Sequence, residues 1–137
     1  VNKIKYDSEL IKLITLFESM SGAKVKDCIA NERLTFIIEE NEMGKAIGKN
    51  GANIRRIEEV LNKKIKLVEF SKNVLQFIRN FIYPVEVNDI KQENETIIMH
   101  CGDVNSKAFL IGREKQNIYH LTSIVKRYFD IKEIKVM

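Results

Sequence analysis

The octapeptide Ile47-Gly48-Lys49-Asn50-Gly51-Ala52-Asn53-Ile54 is matched 64 positions further on by Ile111-Gly112-Arg113-Glu114-Lys115-Gln116-Asn117-Ile118. Ile, Gly, Asn and Ile coincide, and a basic residue follows the first glycine in both copies. Self-similarity at a fixed offset marks a structural unit built more than once. Within 137 residues it leaves room for two small units and little else.

The apolar pattern around the two copies repeats as well. In the first half, Asp7 or Ser8 is expected to cap a helix carrying Leu10, Leu13, Ile14 and Phe17, closed by Ser21-Gly22. Val25 to Ala30 and the alternating Leu34, Phe36 and Ile38 read as two strands joined by a turn at Asn31-Glu32. A short helical segment at 42–47 leads into the glycine turn. A second helix follows with Ile54, Ile57, Val60 and Leu61 as core positions, and then a strand with Ile65 and Leu67.

Ser71 comes directly after Phe70 and is expected to cap the next helix, with Val74, Leu75, Ile78 and Ile82 on its inner stripe. Pro84 stops that helix. Val85 and Val87 are expected to begin a strand, Gln92-Glu93-Asn94-Glu95 to turn, and Thr96 to His100 to form the partner strand. A short helix at 105–111 precedes the second turn. A helix with Ile118, Leu121, Val125 and Phe129 on one side and a strand at 131–136 complete the order.

Each half therefore runs αββααβ. Two helical segments separate the last strand from the one before it, which is long enough for a crossover between parallel neighbours. The expected fold class is α+β: a three-stranded mixed sheet covered by helices on one face, built twice, at 1–70 and 71–137.

The first turn carries the chemistry. Glycines at both of its ends permit backbone angles closed to other residues. The helix starting at Ala52 offers unpaired N–H groups and a positive dipole end to an anion. Lys45, Lys49, Arg55 and Arg56 surround the turn, and no Asp or Glu occurs from Met43 to Ile57. The cluster is local: 1–70 holds 13 basic and 11 acidic residues and 71–137 holds 10 and 8, within a net charge of +4 and a pI near 9.0. A solvated basic face on a tight helix-to-helix turn would look the same taken alone; the repeat and the element order favour a phosphate-binding role.

Other classes find less support. No run of about 18 apolar residues is present to span a membrane, and 31% of residues are charged. Val1 to Asp7 lacks the apolar core of a secretory signal, so a cytoplasmic location is expected. Cys28 and Cys101 stand in strand-like apolar surroundings and read as buried thiols; no metal site is expected. Gly44-Lys45-Ala46-Ile47-Gly48-Lys49-Asn50 imitates a nucleotide-binding loop, but its glycines are one residue too close and Asn50 stands where a magnesium-binding hydroxyl belongs. With no nucleophile, base and orienting group at motif spacing, no catalytic residue, cofactor or small-molecule substrate is expected.

The order αββααβ with Ile-Gly-x-x-Gly-x-x-Ile between the central helices resembles the K-homology (KH) domain of type II. Two such domains in direct succession, at this length, are most similar to a short archaeal transcription termination/antitermination factor. The resemblance implies single-stranded RNA binding, with the glycine loop clamping about four backbone nucleotides and bases lying in an adjacent apolar groove. It implies that Gly48, Lys49, Asn50 and Gly51 hold phosphates, with Ile47 and Ile54 as groove wall, Arg55 and Arg56 in reach of phosphates or base edges, and Lys45 and Asn53 as further RNA-binding residues. In the second loop Gly112, Arg113, Lys115 and Asn117 are the corresponding residues. Lys115 replaces the second glycine and Glu114 adds an acid, so a poorer backbone approach to phosphate is expected there. A ribosome-associated or RNA-processing KH protein has the same physical requirements, and the sequence leaves that reading open, as it does contact with RNA polymerase.

Overall fold

The computed structural model describes residues 8–30 and 33–137. The expected cap at Asp7 and the turn at Asn31-Glu32 lie outside them. The chain divides into two compact units, with the division between Ser71 and Lys72.

In the first unit, helix α1 (Ser8–Ser21) precedes strands β1 (Val25–Ala30) and β2 (Leu34–Ile38), helices α2 (Met43–Ile47) and α3 (Ala52–Leu61), and strand β3 (Ile65–Glu69). The sheet order is β1-β2-β3; β2 runs antiparallel to β1 and parallel to β3. Two helices thus form the crossover that a parallel pair requires. The helix-facing side of the sheet presents Cys28, Leu34, Phe36, Ile38 and Ile65 to Phe17, Ala46 and Ile57. The rings of Phe17 and Phe36 lie 4.5 Å apart at the centre.

Glutamates on the helices and connections tie strand starts to this core. Glu18 Oε2 accepts from the Val25 amide at 2.8 Å, Glu42 Oε1 from Lys24 at 2.9 Å and Glu58 Oε2 from Ile65 at 3.0 Å. Each satisfies a backbone donor at a strand end, where the ladder cannot.

All of β2 is buried, including Thr35 and Ile37 on the face away from the helices, and Asp27, Ile29 and Val68 on that face are buried too. Burial in this sheet is therefore not restricted to the face expected to be covered. A central strand enclosed on both sides loses the apolar/polar alternation, which is why it reads Leu-Thr-Phe-Ile-Ile.

The second unit holds α4 (Val74–Ile82), β4 (Asp89–Glu93), β5 (Thr96–His100), α5 (Val104–Ile111), α6 (Gln116–Tyr128) and β6 (Glu133–Val136), with sheet order β4-β5-β6 and the same antiparallel and parallel senses. Here β5 alternates. Ile97 and Met99 are fully buried with Ile90 and Ile134 on the helix side, while Lys91–Glu93 and Lys135–Glu133 ion pairs occupy the other face.

Five expectations are corrected. The cap of α4 is Asn73, whose Oδ1 accepts from the Gln76 amide at 3.1 Å; Ser71 sits two residues too early to reach it. Val85 and Val87 precede the strand. The turn is only Asn94-Glu95, which pairs Glu93 with Thr96 and Asp89 with His100, and β5 ends there, so earlier residues have no strand to pair with. Phe129 terminates α6 in an extended conformation, although its ring still packs 5.7 Å from that of Phe77. Val60 is 60% exposed. Ile54, Ile57 and Leu61 share the inward stripe at i, i+3 and i+7, and Val60 falls off it.

Candidate nucleic-acid interface

Helix α2 ends at Ile47, residues 48–51 form the turn, and α3 begins at Ala52. The reversal is made by three positive-φ residues among four: Gly48 at φ +78, Asn50 at φ +55 and Gly51 at φ +77. Asn is among the few side-chain-bearing residues that accept the left-handed region at small cost.

The two glycines act differently. A Cβ on Gly48 would stand 2.7 Å from Asn53 Cγ and 2.8 Å from the Asn53 amide nitrogen, so this glycine admits the start of α3 rather than a ligand. A Cβ on Gly51 would meet only Arg55 Nη1, at 3.4 Å, which leaves that side of the turn open. No side chain caps α3.

Asn53 holds the turn from within. Its Nδ2 donates to the Lys45 carbonyl at 2.8 Å and its Oδ1 accepts from Arg56 at 2.8 Å. Arg56 also donates to the Met20 carbonyl at 3.1 Å, and Arg55 Nη1 donates to the Asn50 carbonyl at 2.7 Å. Both arginines thus brace the turn while their exposed residues keep positive charge beside it.

The four cations are not all unopposed. Lys45 Nζ lies 3.5 Å from Glu42 Oε2, one residue before the acid-free stretch. The Glu42 carboxyl is held below its ordinary range, first by the hydrogen bond from the Lys24 amide and further by Lys45. Glu58, on the other flank, is directed to the Ile65 amide and to Lys64 at 3.7 Å. Lys49 is exposed and makes no ion pair among the described residues. Ile47 is 36% exposed beside the turn, and Ile54 is half-buried against the core.

The second turn has the same backbone. Gly112 (φ 77, ψ 171), Glu114 (φ 55, ψ 30) and Lys115 (φ 64, ψ 20) follow Gly48 (78, 171), Asn50 (55, 28) and Gly51 (77, 16) closely. Asn117 Nδ2 donates to the Phe109 carbonyl at 2.6 Å, repeating the Asn53 contact, and a Cβ on Gly112 would collide with Asn117 at 2.7 Å. Arg113, Glu114 and Lys115 are exposed, so the loops differ in side chains and not in path. The sequence reading missed two large exposed side chains beside this turn, Phe109 and Tyr119, and also Glu42 beside the first. Continuing the 64-residue alignment by a few positions finds the aromatics opposite Lys45 and Arg55.

A mixed three-stranded sheet with a Gly-x-x-Gly turn between two crossover helices defines a nucleic-acid-binding module of the KH class. The profile of that family, the KH domain, matches residues 13–96. Proteins named "Probable transcription termination protein NusA" from Methanococcus vannielii and Methanocaldococcus jannaschii are 34% and 32% identical to this chain; each alignment covers 98% of it, and 80% and 76% of the relatives. The crystal structure of APE1850 superposes with a TM-score of 0.71 at 24% identity, covering 96% of this chain and 100% of that one. The chain belongs to the KH-domain family, together with these archaeal NusA proteins.

Proposed function

We propose that this protein binds single-stranded RNA through the 48–51 turn and acts in transcription termination or antitermination. The observation that carries RNA binding is an exposed Lys49, with no ion pair among the described residues, on a braced turn at the start of α3, inside a fold whose glycine loop clamps about four nucleotides. Gly48, Asn50 and Gly51 shape the clamp, Lys45, Arg55 and Arg56 add charge to it, Asn53 holds it, and Ile47 and Ile54 wall the groove. The role in transcription rests on the relatives' names, and RNA polymerase is the partner it implies.

Each half, 1–70 and 71–137, is a type II KH domain. Element order, strand order and the matched turn dihedrals support that assignment. Gly112, Arg113, Lys115 and Asn117 are the second domain's contribution. The protein works by binding, in the cytoplasm, without catalysis or cofactor.

Replacing Lys49 and Asn50 by aspartate puts like charge at the phosphate position and leaves both glycines in place. Affinity for single-stranded RNA should fall at least about tenfold, or 1.4 kcal/mol, with the circular dichroism spectrum unchanged. A change below about threefold removes the clamp assignment. Co-purification with RNA polymerase, as opposed to ribosomal subunits, tests the transcription role.

A further inference from the structure

The matched turns place different chemistry on equivalent positions. The 64-residue offset sets Phe109 on Lys45 and Tyr119 on Arg55. The turn dihedrals coincide, and the Asn117 bond to the Phe109 carbonyl repeats the Asn53 bond to Lys45. In the first unit the side chain at the second of these positions, Arg55, lies over the turn, on the Asn50 carbonyl at 2.7 Å. Phe109, whose carbonyl Asn117 holds, and Tyr119 thus stand on α5 and α6, the two helices that the second turn joins. They are 63% and 65% exposed, whereas Phe77, Phe81, Tyr128 and Phe129 pack against other rings. From Val104 to Phe129 Glu114 is the single acid, against Lys107, Arg113 and Lys115 near the turn, so an anionic partner is favoured.

We propose that Phe109 and Tyr119 form a stacking site for unpaired RNA bases, making the second unit a base-binding counterpart of the phosphate-binding first. The inference rests on the RNA-binding reading above. An aromatic face accepts any base, at about 1–3 kcal/mol per stacked base, and flanking cations supply only the backbone attraction. The site therefore takes single strands without strong sequence preference, and its contribution is less dependent on salt than that of the first turn.

The test uses the full chain and two probes, a short oligouridine and an abasic oligonucleotide of equal length. Wild type should bind the oligouridine more tightly. Phe109→Ala with Tyr119→Ala should weaken oligouridine binding at least about tenfold and leave abasic binding and the salt slope unchanged. Phe109→Leu with Tyr119→Leu should behave like the alanine pair, and Phe109→Tyr with Tyr119→Phe like wild type. All these sites are exposed, and circular dichroism checks the fold. Oligouridine binding within about threefold of wild type in the alanine pair overturns the proposal, as does full binding by the leucine pair. The same is true if the alanine pair loses only RNA polymerase from a pull-down, which would make the patch a protein-docking surface. Should wild type bind neither probe, the RNA reading itself fails; the Lys49 and Asn50 variant tests the first turn independently of the aromatics.

Discussion

The side-chain amide of Asn53 reaches back across the glycine turn to the carbonyl of Lys45, 2.8 Å away, and so ties the first turn of α3 to the end of α2. The contact is possible only because Gly48, directly beneath it, has no Cβ. Asn117 and the Phe109 carbonyl make the same bond over Gly112 at 2.6 Å. The turn is thus shaped before any ligand arrives, which lowers the ordering cost of binding.

Gly48→Ala and Gly51→Ala should differ in severity. The first combines a positive φ with backbone and side-chain overlap at 2.7–2.8 Å, the second a positive φ with one ordinary contact at 3.4 Å. Urea unfolding should show a small net loss for Gly51→Ala, a left-handed penalty of about 1–2 kcal/mol offset by about 0.5–1 kcal/mol of unfolded-chain entropy, and clearly more for Gly48→Ala.

Lys115 occupies the left-handed region at φ +64, where a side chain is penalised. Lys115→Gly removes a strain of about 1–2 kcal/mol and adds about 0.5–1 kcal/mol of unfolded-chain entropy. A small net stabilisation is expected, read as a higher urea midpoint with an unchanged slope.

Glu42 links pH to the first turn. Its carboxyl titrates below the ordinary range in the folded protein because it accepts from the Lys24 amide and faces Lys45. A depressed folded value means that its stabilising contribution is complete above the unfolded value and is lost as pH falls through the folded one. Asp103, capping α5 through Ser106, is depressed in the same direction and acts likewise. Glu42→Gln should therefore flatten the acid limb of a stability-against-pH curve and have its largest effect at neutral pH.

Cys28 is fully buried, and burial with the neighbouring Asp27 pushes its thiol up to about 12. Iodoacetamide at neutral pH should modify Cys101, which is only half-buried, and spare Cys28 until the protein unfolds. Peptide mapping after alkylation reads this directly.

Element order was legible in the chain because it rests on local periodicity. Leu10, Leu13, Ile14 and Phe17 fall on one side of a helix, and Leu34, Phe36 and Ile38 on one side of a strand, whatever they pack against. The parallel pairing of β2 with β3 followed from the length of the crossover, and the turn was legible because glycine, charge and helix start coincide within a few residues. Strand limits were not: Val85 and Val87 have strand chemistry, but pairing ends where β5 ends, at His100. Caps behaved similarly, since Ser71 and Asn73 are both able residues and only the observed backbone places Asn73 within reach of the Gln76 amide.

By itself, then, the sequence determined what repeats: the order αββααβ, the two turns and their local charge. Tertiary structure decided which partners the charged groups meet. Glu42 lies outside the acid-free stretch but beside Lys45, Arg55 and Arg56 spend hydrogen bonds on the turn they flank, and Phe109 and Tyr119 are left outside the core. Periodicity reports which side of an element faces inward, whereas ion pairs, braces and exposed rings depend on distances between elements, which a linear pattern does not contain.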